Sequence, residues 1–169
     1  MLTATRLNEL LEYEAASGIF RWRRSFRHIS AGDLAGCSTA YGYWQIKIDG
    51  RIYMAHRLAW LYVKGQWPPG ILDHRNGDGH CNQFDNLRLC DGTLNNANIN
   101  KHDRNQSGFK GVYRNGKCAT WVARIGYRKK REFLGCFGEA ADAARAYDAA
   151  AARLFGPFAV TNQQLGLLP

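Results

Sequence analysis

Residues 71–78 read ILDHRNGD, and this stretch determines how the first part of the chain is interpreted. Ile71 and Leu72 predict a short apolar strand that delivers Asp73 and His74 at its end. The Asn, Gly and Asp residues that follow predict a loop. Because neighbouring residues on a strand point to opposite sides, the carboxylate and the imidazole can face different parts of one site.

Two stretches further along the chain complete this pattern. Residues 85–89, DNLRL, contain a second predicted strand, and residues 93–98, TLNNAN, begin a predicted helix over 93–100. The order of strand, loop, strand and helix brings polar groups together at one end of the motif.

These residue types suit the hydrolysis of a phosphodiester. That reaction needs an activated water, and His74 can take a proton near neutral pH. It also needs positive charge at the phosphate, which a hard cation held by a carboxylate and an amide oxygen supplies. Asp73 and one helical asparagine offer those ligands. An ordinary turn fits the same Asp-His-Arg-Asn-Gly run, so the spacing alone does not decide between the two.

The residues before this motif predict small elements with clear turn signals. Thr3 or Thr5 can cap a short helix that carries leucines, and Asp49-Gly50 predicts a two-residue hairpin turn. The expected elements are a strand at 19–22, a loop at 24–40, a hairpin at 41–54 and a helix at 56–63.

The last third of the chain is more basic than the rest. The net charge is +9, with 10 Lys/Arg against 4 Asp/Glu in residues 105–169 and 13 against 10 in residues 1–104. A basic balance favours nucleic acid or another anionic surface, and a solvated face accounts for the charge equally well.

This basic segment predicts a three-stranded antiparallel sheet backed by one long helix. The expected strands are 109–113, 119–125 and 130–134, with a turn at Asn115-Gly116, and the expected helix is 138–155. The predicted buried stripe of the helix consists of Ala140, Ala144, Tyr147, Ala151 and Leu154. Strand alternation predicts an outer sheet face that bears Lys110, Tyr113, Arg124, Arg131 and Phe133.

Other features limit the class of protein. The five cysteines are widely spaced and form no CxxC pair, so we expect free thiols and no structural zinc. No stretch approaches the apolar length that crosses a bilayer, and nothing indicates an obligate protein partner. We therefore expect a cytoplasmic protein without a membrane partner.

The first two-thirds of the chain resembles the HNH homing endonucleases of bacteriophages over residues 5–100. The resemblance is carried by the hairpin GYWQIKI at 42–48, AHRLAW at 55–60, LDHRNGD at 72–78, DNLR at 85–88 and the asparagines at 95–96. It implies a ββα-metal (His-Me finger) core at about 70–100, and a phage-encoded enzyme acting in a bacterial host cell.

The resemblance also implies roles for individual residues. His74 is the general base, Asp73 and Asn95 hold one divalent cation (Mg²⁺ or Mn²⁺), and Asn86 braces the loop and helps to orient the base. Asn98 and, less well, Asn96 compete with Asn95 for the ligand role. His56 matches the start of the family's His-Arg-Leu helix, which favours packing or hydrogen bonding beside the site over catalysis.

The last third resembles the plant ethylene-response-factor (Apetala) DNA-binding domain over residues 107–162. The resemblance is carried by GFKGVY at 108–113, WVARI at 121–125, FLGCF at 133–137 and AARAYDAAA at 143–151. It implies double-stranded DNA as the partner. The expected DNA contacts are Lys110, Tyr113, Arg114, Arg124, Arg128, Lys129, Lys130, Arg131 and Phe133. Lys110 and Tyr113 stand where many plant members have arginine, and Phe133 replaces a tryptophan, so the target sequence does not carry over.

Together these patterns predict an α+β protein with a nuclease domain at 1–102, a linker at 103–107 and a DNA-binding domain at 108–169. The expected function is metal-dependent cleavage of double-stranded DNA at a preferred site by a homing or nicking enzyme. The alternative is a DNA-binding regulator that keeps a degenerate HNH fold and does not cut. An RNA-binding or structural basic protein is the third interpretation.

Overall fold

A computed structural model describes residues 1–92, 94, 105–116 and 118–168. The chain forms two compact units, Met1–Cys90 and Asp91–Pro169. The division therefore falls before the predicted linker at 103–107, whose first two residues lie outside the described ones. Both units combine helices with small antiparallel sheets, as the predicted α+β class requires.

The first unit opens with a capped helix and a hairpin. Helix α1 (Ala4–Leu10) begins after Thr3, whose hydroxyl accepts a hydrogen bond from the Arg6 amide at 3.2 Å. Of the two predicted caps, Thr3 is therefore the one used. Strands β1 (Leu11–Glu14) and β2 (Ile19–Trp22) then pair antiparallel.

A second sheet has the order β3-β4-β5, with strands Cys37–Ser38, Trp44–Ile48 and Arg51–Met54. The predicted loop at 24–40 thus ends in a two-residue strand. Asp49 and Gly50 have φ values of 47° and 79°, the left-handed pair that a tight hairpin turn requires. Helix α2 (Ala55–Lys64) follows directly, and Gly65 ends it at φ 72°.

The third sheet carries the motif. Strands β6 (Ile71–His74) and β7 (Leu87–Cys90) pair antiparallel, so that Asp73 lies opposite Arg88. A short 3₁₀ turn, Phe84–Asn86, leads into β7. Most of the predicted helix at 93–100 lies outside the described residues, so the structure supplies the two strands of the expected ββα arrangement.

The core of the first unit fixes the position of this motif. Leu7, Phe20, Ile46 and Leu58 are fully buried and come from α1, β2, β4 and α2. Leu87 of β7 belongs to the same cluster. The strand pair that carries Asp73 and His74 is therefore anchored to elements from the whole unit.

The second unit is a three-stranded sheet with a helix on one face. Strands β8 (Val112–Arg114), β9 (Trp121–Tyr127) and β10 (Lys130–Phe137) have the order β10-β9-β8, and helix α3 runs from Ala140 to Phe155. The first strand starts later than the predicted residue 109, because Gly108 and Gly111 take positive φ. The third strand extends past residue 134 across an irregularity in register between Phe133 and Gly135.

Small side chains allow α3 to approach the sheet closely. Ala143, Ala144, Ala150 and Ala151 are buried together with Tyr147. The predicted stripe is confirmed at Ala144, Tyr147 and Ala151. Ala140 and Leu154 are only half-buried, and Phe155 takes the buried place at the end of the helix.

Among the described residues, no helix combines the length and the apolar character that crossing a bilayer demands.

Candidate functional site

Asp73 and His74 are adjacent and nearly enclosed, each with 5% of its surface exposed. The Asp73 carboxylate forms an ion pair with Arg88 on the neighbouring strand, with Arg88 Nε 2.8 Å from Asp73 Oδ2. Burying a carboxylate is costly unless an opposite charge or hydrogen bonds compensate it. The sequence placed Arg88 in the matching motif but did not identify it as the partner of Asp73.

The His74 ring is held by a neighbouring amide. Its Nε2 lies 3.3 Å from Oδ1 of Asn82. Burial lowers the pKa of His74, while the bond to Asn82 acts in the opposite direction. The imidazole is therefore in its neutral form near pH 7, the form that can accept a proton.

Asn82 is a site residue that the sequence did not reveal. It is 2% exposed, and its Nδ2 donates to the His80 carbonyl oxygen at 3.0 Å. The main-chain carbonyl oxygen of Asn82 accepts a hydrogen bond from the Tyr13 hydroxyl at 2.7 Å. Neither periodicity nor motif spacing singles out one asparagine in a polar loop, so only the folded loop shows its role.

Asn86 braces the loop that follows β6. Its Nδ2 donates to Asn76 Oδ1 at 3.0 Å and to the Cys81 carbonyl oxygen at 2.8 Å. Its Oδ1 accepts from the Asn76 amide at 3.1 Å. These contacts tie Asn86 to the loop, whereas the amide oxygen that faces the His74 ring belongs to Asn82.

His56 lies beside the site on α2. Its ring centroid is 5.1 Å from that of His74 and 5.8 Å from that of Tyr43. Burial, together with nearby His74 and Arg57, lowers the pKa of His56 to about 4. Its Nδ1 is buried and has no hydrogen-bond partner within the described residues. His56 thus contributes a neutral ring that packs against His74.

Of the predicted cation ligands, Asp73 is the one that lies among the described residues. Asp73 lies at the site, whereas Asn95, Asn96 and Asn98 all lie outside the described residues. Within residues 1–92 and the described part of the second unit, no group of three or more His, Cys, Asp or Glu side chains is arranged to hold a metal ion. Asp73 is therefore the described candidate ligand, and Mg²⁺ and Mn²⁺ bind carboxylate oxygens.

The outer face of the second sheet presents aromatic and basic side chains. Phe133 and Tyr113 are 60% and 56% exposed. Phe133 pairs with Arg124 and Arg131 pairs with Gly126, so these side chains emerge on one side, and Arg131, Arg124 and Tyr113 line a common cleft. The structure therefore brings together four of the predicted DNA contacts.

The hairpin tip between β9 and β10 is basic and strained. Arg128 and Lys129 have φ values of 47° and 65°. Non-glycine residues adopt this left-handed region at a cost of about 1–2 kcal/mol each. The Arg128 guanidinium lies 5.2 Å from the centroid of the Tyr127 ring. Lys130 follows on β10 and is exposed. The turn therefore presents consecutive cations that are exposed.

Two predicted contacts lie elsewhere in the second unit. The placement of Lys110 on the outer face is wrong, because its Nζ donates to the Val160 carbonyl oxygen at 3.0 Å and lies 6.0 Å from the centroid of Tyr147, a residue of α3. Arg114 pairs with Trp121, and its guanidinium lies 5.7 Å from that ring. It therefore points to the opposite side of the sheet from Arg124.

Residues 53–97 of the chain match the HNH endonuclease family. Two curated relatives, both named APETALA2-like protein 2 and found in Oryza sativa subsp. indica and subsp. japonica, are 49% identical to this chain over 61 residues. That match covers 35% of this chain, and the chain spans only 14% of the length of each relative. The likeness over residues 53–97, which include Asp73, His74 and Asn86, supports a nuclease-type function that concerns DNA.

Proposed function

We propose that this protein is a metal-dependent HNH endonuclease that hydrolyses phosphodiester bonds in double-stranded DNA at a preferred site. The observation that carries the proposal is the adjacent, enclosed pair Asp73 and His74 on β6, within the segment that resembles HNH endonucleases. We further propose that it is a phage or mobile-element enzyme of the homing or nicking type, with a nuclease domain at 1–102 and a DNA-binding domain at 108–169.

His74 acts as the general base. Its neutral imidazole takes a proton from a water as that water attacks the phosphorus atom. The Asn86 bonds to Asn76 and Cys81 hold the loop around this histidine. His56 packs against the ring and stays uncharged near pH 7, because burial and neighbouring charge lower its pKa to about 4.

Asp73 and Asn95 would hold the divalent cation, Mg²⁺ or Mn²⁺. When bound, the cation supplies positive charge to the scissile phosphate and to the leaving oxygen. Arg88 orients the Asp73 carboxylate, since its Nε bonds to Oδ2.

The second unit delivers the enzyme to DNA. Arg124, Arg131 and Phe133 face outward from the sheet, and arginine can pair with guanine in the major groove through two hydrogen bonds. The cations at the hairpin tip, Arg128 and Lys129, suit contacts with backbone phosphates.

Plasmid cleavage tests the proposal. Supercoiled plasmid carrying the target should be nicked or linearised with Mg²⁺ or Mn²⁺ and should stay intact with EDTA. His74→Ala should abolish cleavage and keep DNA affinity near wild type, whereas His28→Ala, at an exposed loop position, should cut normally. Equal cutting by wild type and His74→Ala would refute the assigned base. Tight, salt-sensitive binding without cleavage under any divalent cation would favour the non-cleaving regulator.

A further inference from the structure

We propose that Asn82 is a positioning residue that holds neutral His74 in the tautomer with the proton on Nε2 and the lone pair on Nδ1. The inference rests on the proposed function, because the tautomer matters for cleavage only if His74 is the base. It assigns to Asn82 the orienting contact that the resemblance implied for Asn86.

The orientation of the Asn82 amide follows from its contacts. A carbonyl oxygen can only accept, so the group that approaches the His80 carbonyl oxygen at 3.0 Å must be Nδ2 of Asn82. The amide oxygen Oδ1 is then the atom 3.3 Å from His74 Nε2. Because Oδ1 also only accepts, the neutral imidazole must donate from Nε2.

Burial makes this preference strong. The opposite tautomer would place the Nε2 lone pair against the Oδ1 lone pairs of Asn82. Both residues are almost completely enclosed, so water has little access to relieve that repulsion. A buried acceptor that loses its donor carries a desolvation cost, which further disfavours the wrong tautomer.

Asn82 is itself fixed from outside the loop. The Tyr13 hydroxyl on β1 donates to its main-chain oxygen, and burial raises the pKa of Tyr13 to about 12, so the phenol keeps its proton. Gly18 packs against the Asn82 backbone so closely that a Cβ there would collide with it. The hairpin of β1 and β2 thus sets the position of the amide that meets the histidine.

The Asn86 side chain makes different contacts. Its amide bonds to Asn76 and Cys81, and these contacts shape the loop rather than the ring. The two asparagines therefore divide the work that one motif residue was expected to do.

The test combines the ring tautomer with the cleavage rate. Two-bond ¹H–¹⁵N spectra of the full chain at pH 8 should show His74 as the Nε2–H tautomer in wild type and in Asn82→Asp, which keeps an acceptor. Asn82→Leu should show a mixed or Nδ1–H pattern. A base that loses its correct tautomer forfeits most of a contribution of about 10²–10⁴-fold, so kcat should fall by about 10²-fold with KM unchanged. Asn82→Asp should recover part of that loss, because it keeps the acceptor that faces Nε2 but lacks the donor to the His80 carbonyl oxygen.

Asn8→Leu, at an exposed position of α1, is the matched control and should leave both readouts at wild-type values. A Nδ1–H tautomer in wild type, or wild-type kcat in Asn82→Leu, would overturn the inference even if the enzyme cuts DNA. If Asn82→Leu does not fold, the wild-type tautomer and the Asn82→Asp spectrum decide. If wild type cuts no DNA, the proposed function fails, and the spectra still test the Asn82–His74 relationship.

Discussion

Arg88 Nε lies 2.8 Å from Oδ2 of Asp73, and the two side chains are only 9% and 6% exposed. In a buried ion pair, removing one residue strongly destabilises the fold, because the remaining charge then lacks compensation. The register of β6 and β7 places the two residues directly opposite each other. Arg88 is therefore both a structural partner and an electrostatic neighbour of the proposed cation site.

Arg88→Met should lower the free energy of unfolding by about 3–5 kcal/mol, the usual cost of breaking a buried ion pair. In the variant, Mg²⁺ should raise stability more than it does in wild type, because the cation offsets the uncompensated carboxylate. Urea denaturation with EDTA or MgCl₂ measures both effects. Arg51→Met, at an exposed position, should change stability by less than about 0.5 kcal/mol. Equal stability of Arg88→Met and wild type would contradict the expected role of the pair.

Gly111→Ala should destabilise the second unit by about 2 kcal/mol or more. Gly111 has φ +76°, and a Cβ at this position would overlap the Tyr147 ring. Gly138→Ala is the matched control, since a Cβ there meets nothing within 4 Å. Thermal unfolding followed by circular dichroism distinguishes the two variants. Similar melting temperatures for both would argue against the close packing of α3 on the sheet.

Lys129→Ala should weaken DNA binding uniformly across sequences and reduce the salt slope of log Kd by about one, as expected when one phosphate contact is lost. Phe133→Ala should instead reduce discrimination between target and unrelated duplexes. Fluorescence anisotropy titrations at several salt concentrations report both quantities. Arg145→Ala, on the exposed surface of α3, removes an equal charge and should leave the slope unchanged. An equal effect of Arg145→Ala would show that net charge alone drives binding.

The stability of the second unit should rise between pH 8 and pH 10. Burial lowers the pKa of Lys110 to about 8 from 10.5, so over this range the unfolded chain keeps a proton that the folded chain releases. Below pH 8 both states are protonated and the contribution is constant. Above pH 10 the raised pKa of Tyr147 acts in the opposite sense, which closes the window.

Lys110→Met removes the titrating amine, so its stability should vary less with pH than that of wild type over the same range. Denaturant midpoints at half-unit pH steps provide the comparison. Parallel curves for the two proteins would show that Lys110 does not have the lowered pKa.

Local signals predicted the elements well. The Asp49-Gly50 turn and the apolar start of β6 are each set by a few neighbouring residues, and the structure has them where the sequence indicated, while α2 extends one residue beyond each end of the predicted 56–63. The segment resembling HNH endonucleases also placed Asp73, His74 and Asn86 around one loop, where the structure has them.

Long-range contacts were beyond prediction. Lys110 turns toward α3 because Gly108 and Gly111 bend the chain and the Val160 carbonyl offers an acceptor. Arg88 and Asn82 acquire their partners through strand register and loop closure, which periodicity does not encode. Alternation along a strand predicts which side a residue faces, but not which distant group it meets there.

The hydrogen bond from Tyr13 to Asn82 has a consequence for protein engineering. Tyr13 lies on β1, outside residues 53–97, and yet it steadies the loop that touches the histidine ring. Transferring residues 53–97 alone to another scaffold would carry His74 and Asn82 but would omit the β1–β2 hairpin that positions Asn82. A transplanted segment that retains this hydrogen bond must therefore begin no later than β1.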